Sequence, residues 1–155
     1  MKLYLVQHAE PKPKDEDPER PLSDKGREDI KIMASFLERK DLKVEKILHS
    51  GKLRAKKTAE ALNEAFKPSK GVEESEGLKA KDDPTIWGNK LKEGDGGDTV
   101  LVGHLPHLSK LAGFLIANDP ERKVVEFKMG GVVCLGLDEE ANWSVEWMVT
   151  PQILK

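Results

Sequence analysis

The chain has 155 residues, 37% of them hydrophobic and 35% charged, with a formal net charge of −2. That length fits one domain with a core of useful size, and the near-neutral charge excludes a global basic field for nucleic acid, so local charge must carry any affinity for an anion. A single cysteine, Cys134, excludes an internal disulfide and fits a reducing compartment.

Met1-Lys2-Leu3-Tyr4-Leu5-Val6 turns polar at once, so it is too short for a signal-peptide core or a membrane span, and a cytoplasmic protein is expected. Leu3 to Val6 reads as a buried strand. Residues 10–22 hold Pro11, Pro13, Pro18 and Pro21 among charges and read as a loop. Ser23 is a helix N-cap, after which Ile30, Met33, Ala34 and Leu37 recur at helical spacing. Val44 to Leu48 reads as a second strand. Ser50 is a candidate cap for a second helix with Ala55, Ala59, Leu62 and Phe66 on one face, and Pro68 lies beyond its end.

From Lys67 to Asp98 the pattern is least regular, with Gly94, Gly96 and Gly97 marking a turn and a short helix expected around Pro84 to Leu91. Thr99 to Val102 reads as a buried strand. The following helix carries Leu108, Leu111, Ala112, Leu115 and Ile116 on one face and ends at Asn118-Asp119-Pro120, with Pro106 expected in its first turn. Val124–Phe127, Val132–Leu137 and Ser144–Val149 read as strands, and Trp143, Val145, Trp147 and Val149 alternate. Cys134 sits in an apolar run and reads as a buried strand residue.

Strands alternating with helices imply right-handed βαβ units, hence a three-layer α/β/α domain over residues 1–155 with a mainly parallel sheet. Ligands of such sheets bind at the carboxyl ends of the strands. Gln7-His8, His49-Ser50 and Gly103-His104 are placed there, each directly after an apolar run. A lone strand-end histidine is as readily structural as functional; two on one edge, His8 and His104, are harder to dismiss. His107, one turn on, reads as a surface residue. Metal catalysis is not expected, because no HxH, HExxH or CxxC spacing is present. Arg54, in the first turn of the second helix, can reach back to an anion above the strand ends, aided by helix N-terminal amides near Ser50 and Gly51. Arg20 reads equally as loop surface, and no glycine-rich phosphate loop is present.

Four ordered segments carry a family resemblance. Leu3 to Glu10 resembles the strand plus Arg-His-Gly or Arg-His-Ala signature of the histidine phosphatase superfamily. Arg20-Pro21-Leu22-Ser23-Asp24-Lys25-Gly26 resembles its R-P-L-[ST]-x-x-G segment, residues 49–59 resemble S-x-x-x-R-A-x-x-T-A, and Val102-Gly103-His104-Leu105-Pro106 resembles its second-histidine segment. The short length and the closing residues 147–155 resemble the SixA-type phosphohistidine phosphatases.

The resemblance implies a phosphoglycerate mutase-like fold and a hydrolase in which His8 becomes a phosphohistidine. Arg54, Arg20 and His104 would hold the phosphoryl oxygens, and no metal or other cofactor is needed. The favoured substrate is a phosphohistidine protein. The alternatives are a small phosphorylated metabolite, or non-catalytic binding of phosphate or a phosphoprotein. No nucleic acid or membrane partner is expected. Gln7 stands where the family carries arginine; it remains a candidate phosphate ligand, but losing a charged donor to a developing anion typically costs roughly 2.7–4 kcal/mol. Glu76 is the positional match for a general acid and could equally be one solvated glutamate among Glu73, Glu74 and Glu76.

Overall fold

A computed structural model describes residues 1–93 and 96–155. The chain runs β1 (Lys2–Gln7), α1 (Asp24–Glu38), β2 (Lys46–His49), α2 (Leu53–Ala61), α3 (Asn63–Phe66), β3 (Val72–Glu74), α4 (Pro84–Lys92), β4 (Thr99–Gly103), α5 (His107–Ala117), β5 (Val132–Leu137), β6 (Trp143–Val149) and α6 (Pro151–Leu154). The six strands form one sheet in the order β3-β2-β4-β1-β5-β6. The neighbours from β3 to β1 are parallel, while β5 and β6 are antiparallel additions.

Strand polarity explains why the central strands are almost wholly apolar: both faces are covered. Tyr4 and Val6 of β1, Val100 and Val102 of β4 and Ile47 of β2 point to one core, shared with Ile30, Met33 and Leu37 of α1 and Ala55 and Ala59 of α2. Leu3, Leu5, Leu101 and Leu48 point to the other, packed by Trp87 and Leu91 of α4 and Leu108, Leu111 and Leu115 of α5. Each large apolar side chain so buried contributes about 1.5–3 kcal/mol relative to exposure.

The helix signals act as read at α1, where the Ser23 side chain accepts from the Gly26 N–H, an arrangement worth about 1 kcal/mol. The α4 helix starts at Pro84 behind the capping Asp83. Asn118 closes α5 in the left-handed region. The Ala55, Ala59, Leu62 and Phe66 stripe is buried as expected, but the helix breaks at Leu62 into α2 and α3.

Several expectations need correction. Val124–Phe127 is not a strand: the segment is irregular, yet Val125 and Phe127 are buried in the α5-side core. An extended segment can bury alternate residues without pairing to a neighbour. The second strand begins at Lys46 rather than Val44, with Val44 buried just before it. The three-residue β3 lies inside the stretch read as irregular; it is short, charged and at the sheet edge, where such composition is usual. Alternation in the last strand is interrupted, because Cys134 pairs with Trp147 while Leu135 pairs with Val145. Glu146 is the extra residue, and the bulge sends Trp147 to the α1 side and Trp143 to the α5 side. Of the expected glycine turn, Gly94 lies outside the described residues, while Gly97 donates its N–H to Glu45.

Candidate active site

The sheet order delivers the site. β1 and β4 are parallel neighbours with Gln7 opposite Gly103, so His8 and His104 leave adjacent strand ends on the carboxyl edge. The His8 N–H donates to the Gly103 carbonyl at 3.1 Å, which keeps the two strand ends in register. The two imidazole rings lie 5.0 Å apart, tilted by 53°. Close approach is needed here, since a Cβ on Gly103 would sit 3.2 Å from the Leu78 carbonyl oxygen.

His8 is 8% exposed, and its Nδ1 lies 2.8 Å from the Ala9 carbonyl oxygen. A carbonyl only accepts, so Nδ1 carries the proton and Nε2 carries the lone pair. Burial lowers the His8 pKa first, the Ala9 hydrogen bond opposes this, and the positive charges of Arg54 and Arg20 lower it further. The ring is therefore a neutral imidazole with one committed and one free nitrogen at neutral pH.

His104 is 3% exposed, and burial, followed by the positive influence of His8, Arg54 and Lys52, brings its pKa down to about 3. Its Nε2 lies 2.6 Å from Ser50 Oγ. Arg54 sits in the first turn of α2, where burial and the charge of Arg20 both lower its pKa. Two guanidiniums thus converge beside His8, and among the described residues neither is ion-paired. Such a pair suits an anion that can accept from both. Arg20 is held in the left-handed region at φ 50°, with its Nε donating to the Lys12 carbonyl at 3.2 Å. A non-glycine residue there is strained, by roughly 1–3 kcal/mol, and such strain clusters at functional sites.

Helix ends add to the field. Neither α2, which starts behind Lys52, nor α5, which starts behind Pro106, has a side-chain cap. Of the first-turn amides, those of Ala55 and Leu108 donate to the Lys52 and His104 carbonyls; the amides of Leu53, Arg54 and His107, which have no partner within their own helix, are the ones placed to meet an anion near the strand ends. Pro106 is thus the N-cap of α5 rather than part of its first turn, and Ser50 does not cap α2.

Other expected residues are placed differently. Gln7 leaves its Oε1 buried without a partner among the described residues. The Glu76 side chain is exposed and makes no hydrogen bond or ion pair with His8, Arg54 or His104 among the described residues; its carbonyl accepts from Trp87 Nε1 at 3.0 Å. His49 ends β2, but its Nδ1 accepts from the Gly51 N–H. His107, expected at the surface, is fully buried, because it starts α5 under residues 77–83. Cys134 is buried and its thiol is pushed up to about 12, mainly by burial, so it is no nucleophile.

Thr58 is the threonine of the 49–59 segment, but sequence reading gave it no role. Fully buried on α2, it accepts from the Ala9 N–H at 2.9 Å and donates to the Arg54 carbonyl at 2.7 Å. It ties the chain after His8 to the helix of Arg54. Its place four residues after Arg54 was visible, but its partner across the fold was not.

A family model described as Histidine phosphatase superfamily (branch 1) matches residues 3–82. The chain is 27% identical over 160 residues to Phosphohistidine phosphatase SixA of Escherichia coli (strain K12), covering 100% of this chain and 97% of that protein. Its fold is similar to the solved structure of the protein histidine phosphatase SixA complexed with tungstate, with a TM-score of 0.85, 23% identity and 100% of both chains covered. It is also similar to a putative alpha-ribazole-5'-P phosphatase from Escherichia coli K-12, with a TM-score of 0.77, 15% identity, and 97% and 98% of the two chains covered.

Proposed function

The chain belongs to the histidine phosphatase superfamily, and from that premise we propose that it is a metal-independent phosphatase in which His8 accepts the phosphoryl group. The observation that carries the reading is the His8 ring itself, with Nδ1 bound to the Ala9 carbonyl and Nε2 free beside two arginines and a second histidine.

Nε2 attacks phosphorus as the bond from phosphorus to the leaving group breaks, giving a phosphoimidazolium on His8 and, from a substrate phosphohistidine protonated on its other ring nitrogen, a neutral imidazole. The Ala9 carbonyl accepts from Nδ1–H and so stabilises the positive charge that the ring acquires. Arg54, Arg20 and His104 hold the phosphoryl oxygens, over which the transition state spreads its charge. Water then attacks phosphorus, the N–P bond breaks, phosphate departs and His8 returns to neutral imidazole.

The proposed substrate is a phosphohistidine on a protein. The exposed Leu105 next to His104 suits a protein surface. The Glu76 carboxylate is exposed and, among the described residues, is held by no hydrogen bond or ion pair to His8, Arg54 or His104, so it is not fixed in place as a general acid. An imidazole leaving group needs that help less than an alkoxide does. The similarity to the SixA enzyme points the same way. Among the described residues no helix is long and apolar enough to cross a membrane, and the cytoplasm is the compartment proposed. Steady-state comparison at neutral pH, with spontaneous hydrolysis subtracted, tests the substrate. A phosphohistidine peptide should show the higher kcat/KM; a sugar phosphate or phosphoglycerate ahead by an order of magnitude or more would favour the small-metabolite reading. A non-catalytic binding module rests on Gln7 alone and fails if the pure protein releases phosphate.

A further inference from the structure

Ser50 has the sequence context of a helix cap, yet its hydroxyl is spent elsewhere. It lies buried between β2 and α2, with Oγ 2.6 Å from Nε2 of His104. The Lys52 backbone N–H donates to the same oxygen at 3.3 Å. A serine hydroxyl offers one proton and two lone pairs. One lone pair is taken by the Lys52 amide, and a buried hydroxyl proton needs an acceptor, which a bare Nε2 supplies; the opposite polarity, Oγ accepting from Nε2–H through its second lone pair, would leave that proton without an acceptor among the described residues.

We propose that Ser50 is a positioning residue for the phosphoryl-transfer site: by donating to Nε2 it fixes His104 as the Nδ1–H tautomer, so that Nδ1–H is the donor the ring offers a phosphoryl oxygen. This rests on the phosphatase reading above and adds to it the group that sets the polarity of the second histidine. His104 is neutral across the working range, because burial and its cationic neighbours hold its pKa at about 3. A neutral imidazole has one donor and one acceptor nitrogen. The wrong tautomer would present a lone pair to an anionic oxygen and repel what it should hold. At most sites a cationic histidine would be safe in either orientation; here it is not, and the tautomer must be set by a neighbour. Gln7 raises the stakes, since it contributes no charge and each remaining donor carries more of the load.

Long-range ¹H–¹⁵N correlation spectra of the full chain labelled on histidine, at pH 7.5, test this directly, with His104→Gln assigning the signals. The wild type should show His104 protonated on Nδ1 and bare on Nε2. Ser50→Ala should show an Nε2–H population for His104. Its kcat on a phosphohistidine peptide should fall by roughly ten- to a hundred-fold, the scale found for groups that orient metal-bound histidines, in a protein that stays folded at the assay temperature. A wild-type His104 protonated on Nε2 would overturn the proposal, as would a Ser50→Ala protein that keeps the Nδ1–H tautomer or full kcat. If the wild type turns over no substrate, the phosphatase reading fails, yet the spectra still decide whether Ser50 sets the His104 tautomer.

Discussion

Replacing Thr58 by valine separates the geometry of His8 from its chemistry. Valine keeps the branched shape of threonine but removes both hydrogen bonds, the one accepted from Ala9 at 2.9 Å and the one donated to Arg54 at 2.7 Å. Ala9 and Thr58 are both fully buried. The Ala9 N–H is then left without an acceptor, at a cost of about 1–3 kcal/mol. For a chain of this size each kcal/mol lowers the melting temperature by roughly 2–4 °C, so a loss of roughly 2–12 °C is expected. Activity should fall further than stability accounts for, because the same residue, Ala9, supplies the carbonyl that holds His8 Nδ1. A shift of about 1 Å in a reacting group can cost about a hundred-fold in rate. Thermal melting and steady-state kinetics on the two variants Thr58→Val and Thr58→Ser make the comparison, since serine retains the hydroxyl. If Thr58→Val melts within about 1 °C of wild type and keeps full kcat/KM, the proposed tie between α2 and the His8 loop carries no weight.

Gln7→Arg should raise kcat/KM, because arginine brings charge to the developing anion and removes the orphaned Oε1; a loss in kinetics would give the amide a role of its own. Phosphatase activity should survive EDTA, since His8, Arg54, Arg20 and His104 supply the charge and the nucleophile; loss on chelation with recovery on adding zinc or manganese would refute this. The acid limb of activity should lie below pH 6.5, because the lowered pKa of His8 keeps Nε2 unprotonated past the ordinary histidine value, as a kcat/KM profile would show. Stability should follow the same sign. A pKa depressed in the folded state means that the unfolded chain binds more protons, so His104, at about 3, contributes fully above 6.5 and loses that contribution as pH falls toward 3. Melting temperatures should decline across that window, and less steeply for His104→Gln.

The layer architecture was legible because periodicity reports burial, and here burial and element type coincide for β1, α1, β4 and α5. Where they part, reading failed. Val124–Phe127 alternates because Val125 and Phe127 are buried, not because the segment pairs. β3 is strand without apolar pattern, since a charged edge needs none. The phase break in β6 comes from one residue, Glu146, that pairing with β5 leaves over. At the site, His8, Arg54 and His104 were readable as strand-end and first-turn residues. Ser50 and Thr58 were not readable in their roles, because a hydroxyl beside a helix looks like a local cap, and only the fold brings His104 and Ala9 to it. His107 shows the reverse: an exposed-looking helix start is buried by a loop whose path no periodicity foretells.

The central claim is that the phosphoryl group passes through His8 Nε2. Rapid mixing of the protein with a phosphohistidine peptide, alkaline quenching and peptide mass spectrometry should show one phosphoryl group on the fragment carrying His8, formed at the rate of turnover or faster and absent from a folded His8→Ala variant that no longer turns over. Substantial turnover by folded His8→Ala, or a phosphoryl group carried at the turnover rate by any other residue, would contradict it.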